Sequence, residues 1–250
     1  MRPVRCLLAL VVASLLVSAT VSAQPAERRL NPLEVQVACG PPPSLDVPAA
    51  PLRIAGSQDP VNRFVFGTGE LLVLDGGSAK GVQLGQQFMI RHPRRATGDH
   101  DKIVAVQTGG WLSIVAVNEK TSIAKVEHFC DAITTGDYVE PFIAPSIPEG
   151  TDRDVASGEL DFSTLGRILN GPEDMNSGAV GGLMLIDPGT IESLQPGARF
   201  AVYRDPHVTG LPLASVGEGV VLSVGKSMVL TKITRSRDAI VTGDYVVARK

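Results

Sequence analysis

The sequence has 250 residues, of which 44% are hydrophobic and 4% aromatic, and its formal net charge is −3. It contains no basic stripe and no run of lysines and arginines, and its few aromatic residues are scattered. This composition argues against a protein that binds nucleic acid or anionic membrane surfaces. The length allows one large domain or two small ones.

The N-terminus has the three-part pattern of a secretory signal peptide. Two arginines within residues 1–5 are followed by an apolar run from Cys6 to Val17 and by the small residues of a cleavage site that ends at Ala23. An apolar run of about a dozen residues is shorter than the roughly 20 needed to span a bilayer, and no later run is longer. We therefore expect an exported, periplasmic or extracellular protein that loses residues 1–23 and has no transmembrane segment in its mature chain. Its net charge would change from −3 to −5, because two of the 23 basic residues leave and all 26 acidic residues remain.

Residues 24–52 are rich in proline and alanine and show neither the helical period of 3.6 residues nor the strand period of 2. This composition predicts an extended arm. The arm contains Cys39, and Cys130 is the other cysteine that remains once the signal peptide is removed. In an oxidising compartment the two can form one disulfide, which would clamp the arm onto the first domain. The alternative is a pair of free, buried thiols.

Two stretches more than a hundred residues apart are nearly identical, which predicts a duplicated domain. Residues 131–139 and 238–246 differ at one position in nine. The similarity extends upstream, where three further segments, 63–67, 72–78 and 82–90, match 167–171, 184–190 and 194–202. An irregular, proline-containing linker at 143–160 separates the first repeat, 53–142, from the second, 161–250.

Each repeat has the pattern of short β-strands. Residues 114–117 and 122–126 flank a turn, as do residues 220–224 and 228–233, and this is typical of a β-hairpin. The best helical exception is one short turn at 163–169. Five or six strands in about 75 residues bury too little surface for a two-sheet sandwich, and an open sheet would leave adhesive edges. We therefore predict an all-β protein with two tandem small closed β-barrels.

The repeated glycines and acids are typical of structural turns. Gly85 and Gly197 stand before Phe88 and Phe200, so each glycine is expected to form a turn with positive φ and each phenylalanine to fill a barrel. The two Gly-Asp pairs, Gly136-Asp137 and Gly243-Asp244, end one strand and begin the next, and each Asp can bond turn amides. The functional alternative is that Asp137 and Asp244 face each other across a pseudo-twofold axis.

A second pair of repeated acids allows an enzymatic alternative. Asp75 and Asp187 each follow an apolar strand and stand two residues before a glycine, and the two loops resemble the duplicated Asp-containing loops of aspartic proteases. In such a pair two carboxylates share a proton and activate water. Gly76 and Pro188 stand where those loops have a hydroxyl residue, so we expect two ordinary turns rather than a catalytic dyad.

No motif in the sequence predicts a cofactor, and the four histidines fall into no metal-binding spacing. Trp111 is the first candidate for contact with a partner if its ring is exposed, although a tryptophan more often belongs to the core.

The order Leu-x-(Val/Ile)-Asp-x-Gly, Gly-x-x-Phe and Gly-Asp-Tyr-Val, spread over residues 63–142 and 163–250, resembles small exported bacterial β-barrel modules. Some of these accompany LysM peptidoglycan-binding units, and others are similar to the C-terminal barrel of flagellar assembly protein T. The resemblance implies no catalytic residues. We therefore expect a non-enzymatic binding or assembly module of the cell envelope, with a protein or glycan as its partner.

Overall fold

The computed structural model describes residues 29–60, 63–96, 99–153, 157–189 and 191–250. The predicted signal peptide lies outside these residues. The described chain is built mostly of β-strands, which form two closed barrels of six strands each, as the sequence predicts. None of its helices is long and apolar enough to cross a membrane.

The first barrel closes in the strand order β1-β3-β6-β5-β4-β8, and every neighbouring pair is antiparallel. Strands β2 and β7 pair with each other beside the ring. The strands are β1 (Leu52–Ser57), β2 (Val65–Phe66), β3 (Leu71–Leu74), β4 (Gln87–Ala96), β5 (Asp99–Val117), β6 (Ser122–Phe129), β7 (Ile133–Thr134) and β8 (Tyr138–Pro141).

The second barrel repeats this arrangement strand for strand. Its order β9-β11-β14-β13-β12-β16 is the order of the first barrel, and β10 pairs with β15 as β2 pairs with β7. The strands are β9 (Leu160–Ile168), β10 (Ser177–Gly178), β11 (Leu183–Asp187), β12 (Arg199–Arg204), β13 (Ala214–Val224), β14 (Val229–Ser236), β15 (Ile240–Val241) and β16 (Tyr245–Arg249).

Each barrel encloses its own apolar core. Phe88 is 4% exposed and Phe200 is fully buried. Each packs among aliphatic side chains from several strands of its barrel, which confirms the prediction that these two residues fill the barrels. Both hairpins predicted from the sequence are present, as β5–β6 and β13–β14. Strands β4 and β5 continue past the first ring as a paired ribbon, because their ladder runs from Gln87 to Ala96.

The structure corrects the alignment of the first matched segment. Arg53, not Arg63, is the counterpart of Arg167: each donates from Nη1 to a turn glycine carbonyl, at Gly136 and Gly243 respectively, over 2.8 Å. Residues 63–67 were therefore matched wrongly. The similar letters misled because the connection between the first strand and the second differs in length in the two repeats.

The short helix predicted at 163–169 is also wrong. These residues belong to β9, where Ile168 and Arg167 pair with Ile186 and Asp187 of β11. Pairing on both sides of the strand supplies more backbone hydrogen bonds than an isolated helical turn could, since a short helix is marginal on its own.

The arm was predicted to be extended, but part of it is helical. Helix α1 spans Pro32–Cys39 and begins with a capping box, in which the Asn31 side chain accepts from the Glu34 amide and the Glu34 side chain accepts from the Asn31 amide. Pro32 at the first helical position is compatible with a helix because its missing N–H would be unpaired there. The capping signal was present in the sequence, and the proline-rich composition hid it.

Candidate functional site

The arm joins the two barrels. A disulfide links Cys39 at the end of α1 to Cys130 just after β6, with Cα atoms 5.4 Å apart, which confirms the predicted bond and its attachment to the first barrel. Beside it the buried hydroxyl of Thr108 donates to the carbonyl of Gly40 over 2.7 Å. Because the two sulfurs are bonded to each other, the alternative of two free thiols is wrong. Ligand atoms of His128 and both cysteines lie within 4.8 Å of one another, but the two sulfurs are bonded to each other and so cannot act as thiolate ligands.

The other side of the arm covers the outer surface of the second barrel. An apolar cluster there receives Val37 from α1 and Leu45 from the proline-rich part of the arm. The Gln36 side chain donates to the Gly181 carbonyl over 2.8 Å, and Lys226 pairs with Asp46 at 2.5 Å. The second-barrel members of the cluster are Leu183, Leu185, Val220, Leu222, Met228 and Leu230.

The fit is close at the tip of the β13–β14 hairpin. A Cβ atom added to Gly225 would lie 1.8 Å from the carbonyl oxygen of Pro43. No side chain can occupy that position without displacing the arm. This contact between the arm and the second barrel was not predicted from the sequence. A signal was available, because β11 and β13 contain unbroken apolar runs rather than alternating ones, and this is typical of strands covered on both faces.

A cavity of about 230 Å³ lies where the arm, the β4–β5 ribbon and the second barrel meet. Pro41, Val104 and Met228 contribute apolar wall, and Gln107, Asp131 and Glu173 contribute polar groups. Arg94 of the ribbon forms an ion pair with Asp174 of the second barrel at this junction. Concave sites with an apolar wall and a few converging polar groups are the usual form of small-ligand sites.

Backbone strain is concentrated beside the cavity. Glu173 and Asp174 have φ of 54° and 57°, in the left-handed region that residues other than glycine rarely adopt. Asp174 accepts from Asn170 Nδ2 over 2.8 Å, which holds the turn. Strained residues of this kind tend to cluster at binding sites, so we take the junction cavity as the candidate binding site.

The repeated acid of the Gly-Asp turn caps the turn in both barrels, as predicted. In the first barrel Asp137 is 2% exposed and accepts from the Thr134 amide over 2.7 Å. Its other oxygen accepts from His92 Nδ1 over 2.6 Å. That hydrogen bond raises the pKa of His92 above its ordinary value, and the nearby negative charge of Asp131 adds to the effect.

In the second barrel Asp244 is 3% exposed and accepts from the Val241 amide over 2.8 Å. Arg204, which occupies the position of His92, donates to both carboxylate oxygens, each over 2.8 Å. Asp137 and Asp244 thus pair with cations of their own barrels, and this geometry is that of turn caps rather than of a dyad across an axis.

His92 in the first barrel predicts a pH dependence that Arg204, at the equivalent position, does not give the second barrel. Because the pKa of His92 is raised in the folded state above 6.5, its stabilising effect is complete below pH 6.5 and is lost as the pH rises through the folded pKa. Asp137, Asp131 and Arg94 are the charged groups that act on it. We expect the unfolding free energy of the first barrel to fall as the pH increases from about 6 to 8.

The measurement is urea denaturation across that pH range, compared with His92→Arg, which copies the second barrel and keeps its charge. The variant should lose most of the pH slope. Equal slopes in the two proteins would contradict a role for His92.

The structure places Asp75 and Asp187 at the ends of β3 and β11, one in each barrel, and both side chains are exposed. Asp75 accepts from the Arg53 amide over 2.8 Å and lies 3.7 Å from Lys80, whereas Asp187 accepts from the Gly189 amide over 2.9 Å. Each carboxylate is engaged with its own barrel. A shared proton would require the two carboxylates to be in near contact in a desolvated site.

Trp111 is half-buried on the outer face of the first barrel. Its ring stacks on His128, with centroids 4.3 Å apart and planes 13° apart, and it meets Phe142 at 5.7 Å. It belongs neither to the barrel core nor to the lining of the junction cavity.

The predicted structural glycines have the backbone that the turns require. Gly85 and Gly197 have φ of +77° and +88°, and Gly136 and Gly243 have φ of +97° and +91°. These angles lie in the left-handed region, where glycine has no steric penalty.

No family model matches the sequence, and no curated protein matches it significantly.

Proposed function

We propose that the protein is an exported, non-enzymatic binding or assembly module of the cell envelope, formed by duplication of one six-strand barrel. The signal-peptide pattern of residues 1–23 supports export, and a disulfide is the expected form of two cysteines in an oxidising compartment. The identical strand order of the two barrels supports duplication.

The observation that carries the proposal is the use of the arm to join two barrels around a cavity. The disulfide fixes α1 to the first barrel, and the apolar cluster fixes the arm to the second. A site lined by three separate parts of the chain is then held in one geometry, and preorganisation of this kind favours binding. The repeated acids are used to hold turns and ion pairs, which supports a binding protein over a hydrolase with an Asp75/Asp187 dyad.

We place the partner, an envelope protein or glycan, at the junction cavity. The experiment is co-sedimentation of the oxidised chain, without residues 1–23, with isolated envelopes of the producing organism. Val104 lines the cavity and is 49% exposed, so Val104→Arg should obstruct the site without disturbing a core. We expect binding to fall at least tenfold, on the order of 1.4 kcal/mol.

Val180→Arg is the matched control, because Val180 is 61% exposed and does not line the cavity. It should sediment like the unchanged chain. Absence of any envelope binding by the unchanged chain would refute the proposed function, and equal loss in both variants would refute the placement of the site.

A further inference from the structure

The outer surfaces of the two barrels have equivalent aliphatic residues in equivalent positions. In the second barrel Leu183 pairs with Lys232 and Leu185 with Leu230, and in the first barrel Leu71 pairs with Lys125 and Val73 with Ile123. A register shift in the next strand of each sheet, β13 and β5, places Leu222 beside these residues in the second barrel and Val115 beside them in the first. We call the four first-barrel residues, Leu71, Val73, Val115 and Ile123, the open face.

The two equivalent surfaces differ in what covers them. In the second barrel the four leucines are between 2% and 4% exposed, because the arm brings Val37 and Leu45 against them. In the first barrel Leu71 is 37% exposed and Val115 is 42% exposed, and Val73 and Ile123 are only half-buried. The arm cannot cover this surface as well, since the disulfide fixes it at Cys130 and the apolar cluster holds it against the second barrel.

An aliphatic set of this kind is unusual on the solvent side of an antiparallel sheet, where outward positions are normally polar. The four residues come from three neighbouring strands, so they form one patch rather than scattered exposed side chains. Contiguous apolar surface on a soluble domain tends to mark an interaction site.

The charges beside the two surfaces also correspond. Lys232 of the second barrel pairs at 2.6 Å with Asp152, which belongs to the linker and not to the barrel. Its counterpart Lys125 is 46% exposed and lies 3.4 Å from Glu127 on its own strand. An acidic residue on a covering segment could therefore meet Lys125 as Asp152 meets Lys232.

We propose that the open face binds a short apolar segment of a partner protein, which packs on these four residues as Val37 and Leu45 of the arm pack on the second barrel. At the hairpin tip the segment must take another path, because Asn118 and Glu119 stand where the second barrel has Gly225 and Lys226. The segment would carry two or more branched aliphatic side chains and an acidic residue that pairs with Lys125. This inference rests on the proposed function, because it names the chemistry of one partner of an assembly module, but it concerns a surface separate from the junction cavity.

The chain itself supplies the probe. A synthetic peptide of residues 30–48 with Cys39→Ser and Asp46→Lys contains Val37 and Leu45 and cannot form the disulfide. The Asp46→Lys change presents a cation to Glu119, which in the first barrel occupies the position of Lys226. In the intact oxidised chain the second barrel is already covered by the tethered arm, so the peptide finds only the first barrel's equivalent surface open. We expect saturable binding, with nuclear magnetic resonance shifts concentrated at the four open-face residues.

The test variant is the double substitution Leu71→Thr and Val115→Thr, which keeps strand propensity and removes aliphatic surface. It should weaken peptide binding at least tenfold, whereas Asn118→Gly, which copies the glycine of the second barrel, should strengthen it. Val180→Thr, at an exposed valine of the second barrel, is the control and should bind the peptide normally.

Three results would overturn the inference: no saturable binding, binding that the double variant retains, or shifts centred elsewhere. If sedimentation of the chain alone shows a dimer that the double variant dissociates, the occupant is a second copy and the proposal of a partner segment is wrong. The envelope co-sedimentation experiment reports separately on the proposed function, because Val104→Arg leaves the open face unchanged.

Discussion

Removing the Cys39–Cys130 disulfide is expected to lower the free energy of unfolding by about 4–5 kcal/mol. The two cysteines are 91 residues apart in the sequence, and closing so long a loop restricts the unfolded chain strongly. The double variant Cys39→Ser and Cys130→Ser avoids a reactive free thiol. Urea denaturation at neutral pH measures the loss, and the same loss should follow when the unchanged chain is reduced with a dithiol.

The same variant tests the role of the arm. Without the disulfide the arm is held by its apolar contacts with the second barrel and by ion pairs such as that of Lys226 with Asp46. Both side chains of this pair are exposed, so it contributes little. Release of the arm would expose the leucines beneath it, so binding of a hydrophobic dye should increase. A stability loss below about 1 kcal/mol, with no change in dye binding, would show that the arm holds without the disulfide.

The sequence was sufficient to predict the barrels because the information for each is local and occurs twice. Phe88 and Phe200 follow turn glycines at the same spacing, and the Gly-Asp turns place Asp137 and Asp244 identically. A feature that appears in both repeats identifies a position in the fold rather than an accident of sequence. The disulfide could be predicted because the two cysteines outside the predicted signal peptide allow one pairing.

The junction could not be predicted in the same way, because it is the part that the repeats do not share. The arm occurs once, and its helix depends on a capping box between Asn31 and Glu34 within a proline-rich segment. The cavity brings together residues such as Gln36, Asp131 and Glu173, which are far apart in the chain and have no common motif. Long-range proximity of this kind follows from how the arm and the barrels pack, and periodicity carries no information about it.

The cations that face the two buried acids were also missed, although they occupy equivalent positions. His92 and Arg204 differ in shape and titration, so they do not appear as a repeat when the letters are compared. Their equivalence becomes visible only when Asp137 and Asp244 are seen to accept from both. Both barrels have a basic side chain beside the buried aspartate, but the residue type differs between them.

The second large effect is expected at the buried ion pair of Asp244 with Arg204. Asp244→Asn should destabilise the second barrel by about 3 kcal/mol, because removing one partner of a buried ion pair leaves the other without compensation. The neutral amide presents N–H donors to the donors of Arg204, and it can no longer accept from the guanidinium at both of its terminal atoms. Arg204 is 30% exposed and keeps Asp238 and the Ala239 carbonyl, which places the expected loss at the lower end of the range for such pairs.

Two matched variants test whether burial of the carboxylate determines its contribution to stability. Asp238 also pairs with Arg204, but its side chain is 67% exposed, so Asp238→Asn should cost less than about 1 kcal/mol. Asp137→Asn removes the equivalent acid of the first barrel, where His92 is 41% exposed and makes one hydrogen bond in place of two. Its loss should fall between the other two and should shrink as the pH rises and His92 loses its charge. Urea denaturation of all three proteins checks this order, and equal effects of Asp244→Asn and Asp238→Asn would show that burial of the carboxylate does not determine its contribution.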